Sequence, residues 1–160
     1  MKANPGERSI RERMAPGVLS QDGFLGTDGR SLQEIVAADR AELERAGVTP
    51  DEVADVIDGL HAAADRGLET PCPACDGRVS VEEIEVMGRI PCPFGCGYRA
   101  HKAVLRVHVA GRVFELTPLH AHLIREHGFF QGRGAAFRLE PADAIALVRL
   151  CRTASSGATD

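Results

Sequence analysis

Aromatic residues are nearly missing from this 160-residue chain, which has no Trp, one Tyr and six Phe. Its core must then rest on Val, Leu, Ile and Ala, with few large side chains left to anchor a binding face. No apolar run approaches the roughly 18 residues that a membrane span needs. The opening Met1-Lys2-Ala3-Asn4-Pro5-Gly6-Glu7-Arg8 carries no apolar signal segment. These absences predict a cytoplasmic chain without a membrane partner. No strand leads into a Gly-x-x-x-x-Gly-Lys-Ser/Thr loop, so a nucleotide P-loop is excluded. Positive charge is not in surplus either: the net charge is −4, which argues against a general nucleic-acid binder.

What charge there is lies unevenly. Residues 31–69 carry ten acidic and three basic side chains, and residues 97–138 carry seven basic and two acidic ones. The two halves are expected to dock on each other or to face different partners. Residues 1–29, rich in Gly and Pro, predict a mobile arm or irregular lead-in, with Phe24 and Leu25 as its anchor. Ser31 with Glu34 forms a capping box, Gly47 ends that helix, and Thr49-Pro50-Asp51-Glu52 opens another; residues 30–69 are thus a helical hairpin. His61, near its end, is expected to be solvated or to face the helix dipole.

Alternation at Val79 and Val81 and the apolar run Val104 to Val109 predict strands, with Gly88 and Gly111 as turns. Residues 70–116 are accordingly a β module. Thr117-Pro118 starts a helix that Gly128 stops, Phe137 to Leu139 form a short strand, and Pro141 opens a last helix. Residues 117–152 are a helix–loop–strand–helix unit, at least one of Phe129 and Phe130 is expected in the core rather than at an exposed partner-binding tip, and residues 153–160 form a frayed tail. The fold class is α+β: an N-terminal helical hairpin, a zinc-stapled antiparallel β-ribbon and two C-terminal helices.

The chemistry lies in five cysteines and a histidine-rich helix. Cys72-Pro-Ala-Cys75 and Cys92-Pro-Phe-Gly-Cys96 are two tight pairs, each able to wrap a metal from one turn, and together they make a tetrahedral shell. Clustered thiols in a reducing compartment are expected to be metal ligands rather than disulfides. Cys151, alone on an apolar helix, is expected to be a small core residue. Asp76-Gly77 directly after Cys75 stops any helix there, which weakens a thioredoxin-like redox role for the first pair.

Cys72-Pro-Ala-Cys75-Asp-Gly and Cys92-Pro-Phe-Gly-Cys96-Gly resemble the two knuckles of the zinc-ribbon or rubredoxin-like group, over residues 70–100 alone. The resemblance implies a structural ion, zinc or iron, held by Cys72, Cys75, Cys92 and Cys96, and a nucleic-acid or protein contact surface. It implies no reaction. A competing partition uses Cys92, Cys96, His122 and His127, because Phe114, Leu119, His122 and His127 look like the back half of a classical two-Cys, two-His finger.

On the helix, His120 and His127 share one azimuth with Leu123 and Ile124, and His122 points elsewhere. The packed, hydrogen-bonded reading of His120 and His127 is favoured. A metal or acid–base role for His120, His122 and His127, as in a small metal-dependent hydrolase, is the alternative; no accompanying Asp-His or Glu-x-x-His set is present, and no catalytic residue is assigned. The leading expectation is a non-enzymatic adaptor that binds nucleic acid or protein. Its contact surface would be the basic face Arg99, Lys102, Arg106, His108 and Arg112, with Arg133.

Overall fold

The computed structural model describes residues 5–67 and 71–158. The strand signals give a four-stranded antiparallel sheet in sequential order, β1 (Cys72–Ala74), β2 (Val79–Pro91), β3 (Arg99–Val109) and β4 (Arg112–Leu116). Among the described residues five helices accompany it: α1 (Pro5–Met14), α2 (Leu32–Arg45), α3 (Pro50–Gly67), α4 (His120–His127) and α5 (Pro141–Ala158). The architecture is therefore α+β. Among the described residues no helix is long and apolar enough to cross a membrane.

Strand alternation decides which side of the sheet is covered. Val79, Val81, Leu105, Val107 and Leu116 point inward and are almost fully buried. Across the register Ile84↔Val104 and Glu82↔Arg106, the other face stays open, with Ile84, Val86 and Val113 exposed. Helix α3 lies against the inner face. The caps form as the sequence predicts: Glu34 N–H donates to Ser31 Oγ, and Thr49 and Glu52 bond reciprocally at 3.1 Å.

Two apolar clusters result. The larger joins α3, α5 and the inner face of the sheet. The smaller joins Met14, Phe24, Leu32, Ile35, Cys92, Leu119, Leu123 and Phe129. Phe129 and Phe130 are both buried, as expected of an aromatic-poor core.

Several expectations are corrected. First, residues 5–14 of the supposed irregular lead-in are helical. Among its highly polar residues α1 has Ile10 and Met14, one turn apart, and Met14 is fully buried. Its polar side chains act as clamps: Glu7 accepts the Leu32 N–H at 2.6 Å, and Arg11 donates to the Arg30 carbonyl at 2.9 Å. Second, Gly88 does not turn the chain. It sits at φ +104 in a bulge between Val86 and Arg89, and β2 runs straight on to Pro91.

Third, α4 begins at His120 rather than at Pro118, though the turn before it keeps cap-like bonds: Thr117 N–H donates to His120 Nδ1 at 3.0 Å and Thr117 Oγ1 accepts the Leu119 N–H. Fourth, Phe137 to Leu139 form no strand. Arg138 is turned inward to Asp39 and the Gln131 carbonyl, so the segment is tied by a side chain instead of a ladder. The α5 backbone stays helical to Ala158, through most of the predicted frayed tail. His61 is not solvated: its Nδ1 lies 2.9 Å from the buried Glu83 carboxylate.

Candidate metal centre

The β2–β3 hairpin is closed by the second cysteine knuckle, residues 92–98. Cys92 N–H donates to the Tyr98 carbonyl at 2.8 Å and Gly95 N–H to the Cys92 carbonyl at 3.1 Å, which turns both sulfurs to one side. Gly95 has φ +77, and a Cβ there would stand 2.9 Å from an Arg13 guanidinium nitrogen. Arg13 Nε donates to the Pro93 carbonyl at 2.7 Å, so α1 braces the knuckle from behind.

Helix α4 brings two imidazoles to those sulfurs. Cys96 Sγ lies 3.2 Å from His122 Nε2, and Cys92 Sγ lies 3.5 Å from His127 Nε2. All four donor atoms fall within 4.8 Å of one another. A tetrahedral ion with Zn–S near 2.3 Å and Zn–N near 2.0–2.1 Å separates S and N by about 3.5 Å, so this donor set has the spacing of a metal shell.

Each imidazole is oriented by a knuckle aromatic. His127 stacks on Phe94 with centroids 4.1 Å apart, and His122 stacks on Tyr98 at 3.9 Å. Burial holds both imidazoles below the usual range, with His122 adding to the effect on His127, so neutral rings offer lone pairs at neutral pH. Burial pushes the Cys92 thiol up to about 11 when no cation is beside it, so metal binding there must displace a proton.

The four-cysteine grouping is not what the structure assembles. Cys72 lies in β1 opposite Val81, and Cys75 is disulfide-bonded to Cys151 of α5. Because β2 does not turn at Gly88, its length of roughly 3.3 Å per residue separates the two pairs. Cys92 and Cys96 lie instead with His122 and His127, in a group that could hold a metal ion, and Cys151 is a cross-link rather than an isolated core thiol.

His120 takes no part. It is fully buried, its Nε2 meets the Phe137 carbonyl at 2.7 Å, and burial lowers its pKa to about 4, so it is a neutral structural group. His127 departs from the packed reading that it shared with His120.

The predicted basic surface is not assembled as one patch. Lys102, Arg106 and His108 share the open face of β3, but Arg106 reaches Glu115 and His108 reaches Glu82, each at 3.4 Å. Arg112 binds Asp143 through both terminal nitrogens, at 2.8 and 3.1 Å, with its guanidinium over Phe114. Arg99 lines a separate hollow beside His101 and Glu83, and Arg133 sits in the loop pinned to Asp28 by its N–H.

Sequence reasoning missed the stacking roles of Phe94 and Tyr98 and the brace from Arg13. The aromatics were findable, since each lies two residues beyond a cysteine of the knuckle. Arg13 carries no local signal. An open cleft of about 540 Å³ flanks the centre, lined by Asp58, Tyr98, Arg125 and Glu126, with Arg125 held by Asp55 and Asp58. Comparison with known protein families, curated proteins and solved structures gives no match.

Proposed function

We propose that this chain is a non-enzymatic, zinc-stapled adaptor that binds another protein. The observation that carries this reading is the closed donor set of two thiolates and two imidazoles, drawn from the knuckle and from α4. Four protein ligands complete a tetrahedral shell, whereas catalytic sites keep a position for water or substrate. Mixed sulfur and nitrogen donors favour zinc over iron, whose rubredoxin-like sites use four sulfurs. The metal would fix the β2–β3 hairpin against α4 and α1, in a protein with few aromatics to do so.

A protein partner is favoured over nucleic acid by the state of the basic residues. Arg106 and His108 face carboxylates on the open sheet face, where Ile84, Val86 and Val113 are exposed, and Arg112, on the opposite side of β4, is taken by Asp143 of α5. On that face Lys102 is the one cation without a carboxylate partner among the described residues, too little free positive charge to drive phosphate binding.

Elemental analysis of the purified chain tests the metal reading. One zinc per chain is expected, lost in Cys96→Ser and His122→Ala and retained in Cys72→Ser. Loss of zinc in Cys72→Ser would overturn it. Cobalt substitution tests closure: the visible spectrum should be tetrahedral and indifferent to added azide, and a response to azide would point to an open, catalytic ion. Salt-sensitive binding to a mixed-sequence oligonucleotide would reject the preference for protein.

A further inference from the structure

The sulfur that the metal centre leaves aside is gathered near the other end of β2. Cys75 and Cys151 are bonded across 76 residues, and Cys72 stands as a free thiol three positions before Cys75. All three are partly buried, and Cys72 and Cys75 pack against the larger apolar cluster. We propose that Cys72, Cys75 and Cys151 form a thiol–disulfide exchange centre, in which a low-molecular-weight thiol moves Cys75 between Cys151 and Cys72. This centre does not depend on the zinc reading.

Three observations support it. The disulfide walls an open groove of about 420 Å³ that also takes in Glu52, Ala74, Arg66 and Arg152, so an attacking sulfur can reach it. Cys72 belongs to a three-residue edge strand held to β2 only by the pairs Cys72↔Val81, Pro73↔Ser80 and Ala74↔Val79. Its central residue is a proline, with no N–H to give the ladder. Cys75 and Asp76 both have left-handed backbones, φ +51 and +55, which non-glycine residues hold at a cost and which recur at switching segments.

The geometry also says what must move. Along an extended strand Cys72 and Cys75 are about 10 Å apart at Cα, beyond the roughly 7 Å that a disulfide spans. Strand β1 must therefore leave the sheet edge and curl into the turn that Cys-Pro-Ala-Cys spacing permits.

The chemistry balances without an oxidant. The incoming thiolate attacks Cys75 Sγ, the Cys75–Cys151 bond breaks, and Cys151 leaves as a thiolate that takes up a proton. The Cys72 thiolate then displaces the incoming thiol from Cys75, giving a Cys72–Cys75 disulfide and regenerating the thiol. The sum is an isomerisation catalysed by thiol. Its consequence is release of α5, at Cys151, from its covalent tie to the β1–β2 turn. A disulfide in a chain expected to be cytoplasmic is, as a rule, transient or redox-sensing, which this exchange would make it.

The test uses the full, metal-loaded chain equilibrated in glutathione buffers of graded ratio, alkylated and mapped by mass spectrometry without reduction. A Cys75–Cys151 cross-link with alkylated Cys72 is expected at the oxidised end. At intermediate poise a Cys72–Cys75 cross-link with alkylated Cys151 should appear, with metal content constant. In Cys72→Ser that second species should vanish and a glutathione adduct on Cys75 should accumulate. Absence of the Cys72–Cys75 species at every ratio overturns the proposal and leaves the zinc reading untouched. Metal gained as the disulfide opens and expelled as it closes overturns it too, because Cys72 and Cys75 would then be ligands.

Discussion

At the scale of single residues, the polar groups that this protein buries are nearly all spoken for, and each has an identifiable task. Asp39 and Arg138 form a two-pronged pair at 3.0 Å, with side chains 6% and 5% exposed. Burial alone would disfavour the guanidinium charge, but Asp39 and Glu140 overcome it and raise the Arg138 pKa further. The pair fastens α2 to the loop before α5. Asp39→Ala leaves a buried cation without its main counter-ion, and a loss of about 3–5 kcal/mol is expected in urea denaturation. A change below about 1 kcal/mol would mean that water takes the place of the carboxylate. Glu83 differs: burial raises its carboxyl while His61 pulls it down. His61 Nε2 is itself buried without a partner among the described residues.

At the scale of elements, close approach between loops holds the smaller cluster. Gly132 N–H donates to the Phe24 carbonyl at 2.8 Å, and Thr27 N–H donates to the Arg133 carbonyl at 2.9 Å. A Cβ on Gly132 would stand 2.3 Å from the Leu25 carbonyl oxygen, a backbone atom that no side-chain rotation can clear. Gly132→Ala should therefore cost at least about 2 kcal/mol by displacing the 20s loop. The melting temperature should fall and Phe24 should lose its packing, seen as broadened aromatic resonances. An unchanged melting curve would show that the two loops slide past each other freely.

At the scale of the whole molecule, the two apolar clusters predict an order of loosening. The candidate metal centre belongs to the smaller cluster, through Cys92, and the disulfide belongs to the larger, through Cys75. Chelation should release amide exchange protection first in residues 92–98, α1 and the second half of α4. The β2–β3 ladder near Val81 and Val107, with α3, should keep its protection. Metal removal that collapses protection uniformly would show that the two clusters fold as one unit. Reduction of the disulfide should instead act at α5 and β1, so the two treatments should be separable in one exchange experiment.

The sequence by itself determined much of the local structure, though not α1, the Gly88 bulge or the Phe137–Leu139 segment. Ser31 and Thr49 with their glutamates set the helix starts, and Val79, Val81, Val104 and Val107 set strands with one buried face. Cys92 and Cys96 announced a candidate ligand pair, because caps, alternation and knuckle spacing act over a few neighbouring residues. Tertiary structure decided which distant groups share an atom's reach. Whether Gly88 turns or bulges fixes whether Cys72 and Cys75 return to the second knuckle. That depends on the long pairing of β2 with β3 rather than on the glycine. With the turn lost, His122 and His127 meet Cys92 and Cys96, and Cys75 meets Cys151 across 76 residues. Such pairings follow from packing summed over the whole chain, which no local spacing encodes.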